Sequence, residues 1–181
     1  MFQEWTEKKQ QTITSKHNFK KGDINMVQLN QFAPNEPVDG LYVYQANLPQ
    51  LHNPIISASQ STALTYGAIV ALDTASTNAD APVVLQADVD DPVFGVIAFT
   101  PIKAQFTAGE RVALARENDI IWKKKDSNAI TAGAALYFDS NNKVTATATA
   151  GNTIIGTAIT AAAAGDAFVQ VQLGFQTTSV E

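Results

Sequence analysis

The chain has 181 residues, 45% of them apolar and only 16% charged, against roughly 25% charged in ordinary soluble domains. It contains no Cys and two His, His17 and His52, and its formal net charge is −5. These numbers exclude a disulfide framework, a cysteine-built metal site and a thiol nucleophile, and leave little for a His-based metal centre or triad.

In chain order, charge separates the first segment from the rest. Residues 1–35 carry Lys8, Lys9, Lys16, Lys20 and Lys21 against Glu4, Glu7 and Asp23, whereas the remainder is acidic. The segment is rich in Gln and Asn and has no sustained period, so it cannot bury enough apolar area to fold alone. It is expected to be an extended basic arm over residues 1–38, ended by Pro34 and Pro37 and followed by an Asp39-Gly40 turn. No apolar run approaches the ~18 residues of a membrane helix, and the polar residues 3–9 do not resemble a signal peptide.

A β-domain is expected over residues 39–181. Short β-branched or alternating runs at 41–44, 68–72, 83–87, 93–99, 111–115, 120–122, 135–138, 144–149, 153–159 and 168–173 are separated by Gly, Pro, Asn and Asp. Strands this closely spaced predict an all-β sandwich or barrel. In the last run Val169, Val171 and Leu173 fall on one face, with Gln170 and Gln172 on the other. The four alanines at 161–164 favour helix by propensity. Gly156 and Gly165 bracket them too tightly for a stable helix, so a small-residue loop or edge segment is expected there.

The chain repeats itself. Residues 65–73 (TYGAIVALD) align with 131–139 (TAGAALYFD), 93–98 (VFGVIA) with 154–159 (IIGTAI), and 107–114 (TAGERVAL) with 163–170 (AAGDAFVQ). Two related units, about 62–115 and 128–173, predict a small pseudo-repeated β-barrel in which neither copy buries its apolar face alone. Gly95 and Gly156, each inside a strand-like run, predict a bulge, a barrel corner or the close approach of another backbone.

Candidate chemistry is sparse. Asp88, Asp90 and Asp91 could offer oxygen ligands to calcium, but they lack an EF-hand pattern and precede Pro92, so a solvated acidic turn is expected. Lys123, Lys124 and Lys125 follow Trp122. Basic residues beside an aromatic can bind nucleic acid, but a short tract in an acidic body predicts a solvated strand end or hairpin tip. His52 falls in a loop, and Ser57, Ser59 and Ser61 lack a nucleophile elbow. No phosphate-cradling glycine loop is present. No catalytic, cofactor-binding or metal-binding residue is therefore assigned, and no cofactor. Nucleic-acid and membrane partners are not expected. The arm reads either as a disordered terminus or as the candidate docking element, with Phe2, Trp5 and Phe19 as anchors and Lys8, Lys9, Lys20 and Lys21 steering it onto a partner.

The body, roughly residues 60–175, resembles the capsid decoration, or structural cement, proteins of tailed bacteriophages. The resemblance rests on Ile130-Thr131-Ala132-Gly133, Tyr137-Phe138-Asp139, Lys143-Val144-Thr145, Ile155-Gly156-Thr157-Ala158 and Ala162–Asp166 leading into residues 169–173. The earlier half, residues 91–96 through 108–112, looks like the same module. The resemblance implies a β-clip or tulip-like fold. It also implies binding to the outer face of the capsid, contact with the major capsid protein, and homotrimers. Assembly in the host cytoplasm and a place on the virion exterior follow from it. The alternative is a ligand- or glycan-binding β-module, such as a head-fibre or adhesin domain, with Trp122 and Tyr137 as exposed platforms. A major capsid or tail-tube subunit fits less well, because the chain is short and shows no long helix.

Overall fold

A computed structural model of the chain describes residues 36–45, 53–149 and 152–176. The chain divides into an N-terminal part, Met1–Pro34, and a body, Asn35–Glu181. The N-terminal part, with the predicted docking residues Phe2, Trp5, Lys8, Lys9, Phe19, Lys20 and Lys21, lies outside the described residues, as does His52.

Among the described residues there are thirteen strands and no helix, in an all-β, barrel-like fold. In chain order they are β1 (Tyr42–Tyr44), β2 (Ile55–Ile56), β3 (Leu64–Thr65), β4 (Ile69–Leu72), β5 (Val83–Gln86), β6 (Val93–Ile97) and β7 (Gln105–Phe106). Then follow β8 (Leu114–Ala115), β9 (Ile120–Lys124), β10 (Ala135–Phe138), β11 (Val144–Thr145), β12 (Ile154–Ala158) and β13 (Phe168–Gln176). They form a six-stranded sheet in the order β1-β9-β13-β12-β10-β11, a five-stranded sheet in the order β2-β5-β4-β6-β8, and a β3–β7 ribbon. Among the named strands all pairings are antiparallel except β2 with β5. Residues 161–164 form no helix; Ala162 bridges to Ile130.

The sequence repeat is a repeat of pairing. The order β5-β4-β6-β8 in one sheet recurs as β11-β10-β12-β13 in the other. Ile69↔Val96, Val70↔Gly95 and Ala71↔Val93 in the first unit match Ala135↔Thr157, Leu136↔Gly156 and Tyr137↔Ile154 in the second, with the register slip at the same step. That slip is the bulge the two glycines predict. At Gly156 the reason for glycine is also close approach, because a Cβ there would lie 2.1 Å from the Gln172 carbonyl oxygen. One correspondence needs correcting. Ala98 N–H donates to the Ala113 carbonyl, and its counterpart Ile159 N–H donates to that of Gln170. Ala113 therefore corresponds to Gln170, not Val169, because the second unit holds one extra residue before its last strand.

The main core lies between the two large sheets. It includes Ile69, Val96 and Ala115 from one, and Ile121, Leu136, Phe138, Ile155, Val169, Val171 and Leu173 from the other. A second cluster, including Ile56, Leu64, Val70, Val84, Ile97 and Phe106, fills the opposite face of the five-stranded sheet. Strand β4 therefore contributes to both cores, Ile69 and Ala71 to one and Val70 to the other, as the two-residue period requires. The Tyr42 hydroxyl on β1 donates to the Leu114 carbonyl on β8 (3.1 Å), tying one sheet to the other. Burial, reinforced by Asp119, pushes the Tyr42 phenol well above its ordinary range.

Candidate functional site

The run of three lysines does not form a solvated tip. Strand β9 alternates, so Ile121 and Lys123 point inward while Trp122 is half-buried and Lys124 exposed. Lys125, just beyond the strand, is also buried. Of the three lysines only Lys124 is solvated, and Lys123 has no exposed surface at all. A lysine is tolerated inside only when every ammonium N–H and the charge itself find partners. The Lys123 Nζ donates to the Gly67 carbonyl (2.6 Å) and the Asn142 carbonyl (3.0 Å), and pairs with the Asp39 carboxylate (3.1 Å to Oδ1). Asp39 Oδ1 also accepts the Lys124 N–H (3.0 Å). Burial pulls the Lys123 ammonium below its ordinary value, while Asp39 opposes that shift.

Each partner comes from a different part of the fold. Gly67 belongs to the turn that opens the first unit, Asn142 to the β10–β11 hairpin of the second, and Asp39 to the stretch leading into β1. Asn142 adds a second link between the units, its Oδ1 accepting the Ile69 N–H (2.8 Å). Position 67 has to be glycine. Its φ is +82°, a region other residues avoid, and a Cβ would lie 2.1 Å from the Asp39 carboxyl carbon. The Asp39-Gly40 turn is fastened on either side, Gly40 N–H to the Trp122 carbonyl (2.8 Å) and Phe99 N–H to the Gly40 carbonyl (2.9 Å). This cluster ties three distant segments of the body together.

Four carboxylates, the buried Asp119 among them, do local structural work. Asp91 accepts the Asp88 N–H (2.9 Å), Glu110 the Thr107 N–H (2.7 Å), Asp119 the Arg116 N–H (2.8 Å) and Asp166 the Ala163 N–H (2.7 Å). In each case the acid's own N–H returns to the first residue's carbonyl at 3.0–3.1 Å. A side-chain oxygen bonding three residues back closes the turn reciprocally. Asp88 and Asp91 thus form the acidic turn expected of them, and among the described residues no group of three or more His, Cys, Asp or Glu could hold a metal.

The aromatic platforms fare differently. Tyr137 is 8% exposed and part of the interior; it sits on β10 between β11 and β12, so it offers no face to a sugar ring. Trp122 is half-buried. Among the described residues the exposed large apolar side chains are instead Val43 and Tyr44 on edge strand β1, Leu72, Ile159 and Ile102, the last 92% exposed. Sequence reasoning missed Ile102, which lies outside every predicted strand and in no repeated motif. No helix among the described residues is long and apolar enough to cross a membrane.

The architecture, then, is a twice-repeated β-body that encloses the buried Lys123–Asp39 ion pair. A family model described as phage cement protein matches residues 52–173, two thirds of the chain and both repeat units. The chain belongs to the phage cement protein family. No curated protein matches it. Family membership makes this cement protein a structural component of a phage virion, associated with the capsid and stabilising it. Lys123, Gly67 and Asn142 lie within the matched span, and Asp39 precedes it.

Proposed function

We propose that this cement protein binds the outer surface of the phage head, contacts the major capsid protein as a homotrimer, and reinforces the shell against internal pressure. The family match over the repeated body is the observation that carries this reading. Docking is assigned to the basic arm, with Phe2, Trp5 and Phe19 as apolar anchors and Lys8, Lys9, Lys20 and Lys21 as steering charges. The body is acidic and the arm basic, so arm docking is salt-sensitive if the partner surface is acidic. The reading assigns no enzymatic activity, no cofactor, and no nucleic-acid or membrane partner. It places assembly in the host cytoplasm.

The test is co-sedimentation of purified protein with heads assembled without it, at low and high salt. Saturable binding is expected, weakened by deletion of residues 1–20 while the β-body keeps its melting transition. Saturable binding that the deletion leaves unchanged would remove the arm from the docking account.

A further inference from the structure

One loop breaks the repeat. Ile97 and Phe106 in the first unit occupy the places of Ala158 and Ala162 in the second, as the pairings Leu64↔Phe106 and Ile130↔Ala162 show. The second unit crosses between those places with residues 159–161, whereas the first uses residues 98–105. The second unit closes without the added residues; in the first, Phe99 near one end of the crossing fastens Gly40 and Gln105 at the other pairs with Thr65, which leaves the tip between them without a part in closure. Their tip carries Ile102, at 92% exposure well above Tyr44, the next most exposed large apolar side chain among the described residues at 59%.

The tip is held in place at both ends. Phe99 packs edge-on against Tyr66 with ring centroids 5.0 Å apart, and its N–H donates to the Gly40 carbonyl. Pro101 fixes one backbone angle, and the Ile102 N–H donates to Thr100 Oγ1 (3.4 Å). Lys103 is ion-paired with Glu110, the acid that closes the first unit's turn, and its ammonium lies 6.0 Å from the ring centroid of buried Phe106. An apolar side chain presented on a braced loop loses little freedom on binding, which is the condition for a strong anchor.

We propose that the tip at residues 101–103 is a knob whose Ile102 seats in an apolar pocket of a capsid-shell protein, giving the body a docking point separate from the arm. This inference rests on the capsid-binding reading above. The chemistry of the tip selects a protein pocket. Lys103 is the loop's one charged residue and is neutralised by Glu110, so the tip offers no free cation to a phosphate backbone or an anionic lipid surface. A shell protein is the partner that family membership supplies.

The experiment uses the full chain as wild type, Ile102→Ala and Ile102→Asp. Each is titrated onto heads assembled without this protein and followed by co-sedimentation, with size-exclusion chromatography and thermal melting in parallel. Ile102→Asp is expected to weaken head binding about thirtyfold or more, the effect of losing a central anchor, and Ile102→Ala less. Melting and elution are expected to stay as in wild type, because the side chain contacts solvent. Wild-type affinity in Ile102→Asp would overturn the inference alone. A changed elution volume, with head binding lost only in step with it, would assign the knob to a second copy of this chain and also overturn it. Failure of the wild type to bind heads would overturn the capsid-binding reading itself.

Discussion

The Lys123 ammonium lies 3.1 Å from the Asp39 carboxylate, and it is fully enclosed although the two residues are 84 positions apart in the chain. This pair joins the entry of the body to both repeat units through the Gly67 and Asn142 carbonyls. Removing one member leaves the other charge buried alone, which costs about 3–5 kcal/mol. Asp39→Ala and Lys123→Met should each lower the melting temperature by roughly 10 °C or more. The double variant Asp39→Leu/Lys123→Met should recover part of the loss, because no charge is then stranded. Calorimetric melting checks this, and additive losses in the double variant would show that the pair is not coupled.

Gly67 and Gly133 occupy equivalent turns with the same φ of +82°, yet they differ in surroundings. A Cβ at 67 meets the Asp39 carboxyl group, and one at 133 meets nothing within 4 Å. Gly133→Ala should cost only the backbone penalty, about 1–2 kcal/mol. Gly67→Ala should cost clearly more, because it also displaces Asp39 from Lys123. Denaturant unfolding of the two variants gives the comparison, and equal losses would show that the Asp39 contact contributes little.

Acid should weaken the body. Hydrogen bonds from Lys103 and the Thr107 N–H hold the Glu110 carboxyl below its usual 4.5. For Asp126, slight burial pushes upward, but hydrogen bonds from Thr145 and Asn128 outweigh it and leave the group below its usual 3.8. A carboxyl whose pKa is depressed by folding contributes stability that is present above its unfolded value and lost as pH falls through the folded one. Melting temperature should therefore hold steady from pH 7 to about 5 and decline below about 4.5. Glu110→Gln should flatten that decline, and an identical slope in this variant would remove Glu110 from the account.

Most strands were legible because two-residue alternation and Gly or Asp punctuation are local signals. The run at 135–138 is β10 itself, and that at 168–173 has the predicted faces, with Val169, Val171 and Leu173 inside. The pairs Ile55–Ile56, Leu64–Thr65 and Gln105–Phe106 escaped because two residues cannot display a period. The fate of Lys123 was not legible from composition. Its partners come from three distant segments, and a lysine run by default favours solvent. The alternation of Ile121, Lys123 and Lys125 was the available signal, and carrying the two-residue period through the lysines would have placed two of them inward. Ile102 left no signal, since exposure of a loop tip is decided by tertiary packing.

Whether this chain cements a phage head is measured most directly by the thermal disruption of heads assembled without it, before and after saturation with the purified protein. Heads carrying the protein should break open at a higher temperature, with the gain rising as sites fill and levelling at saturation. Saturated heads that disrupt at the same temperature as bare ones would contradict the account.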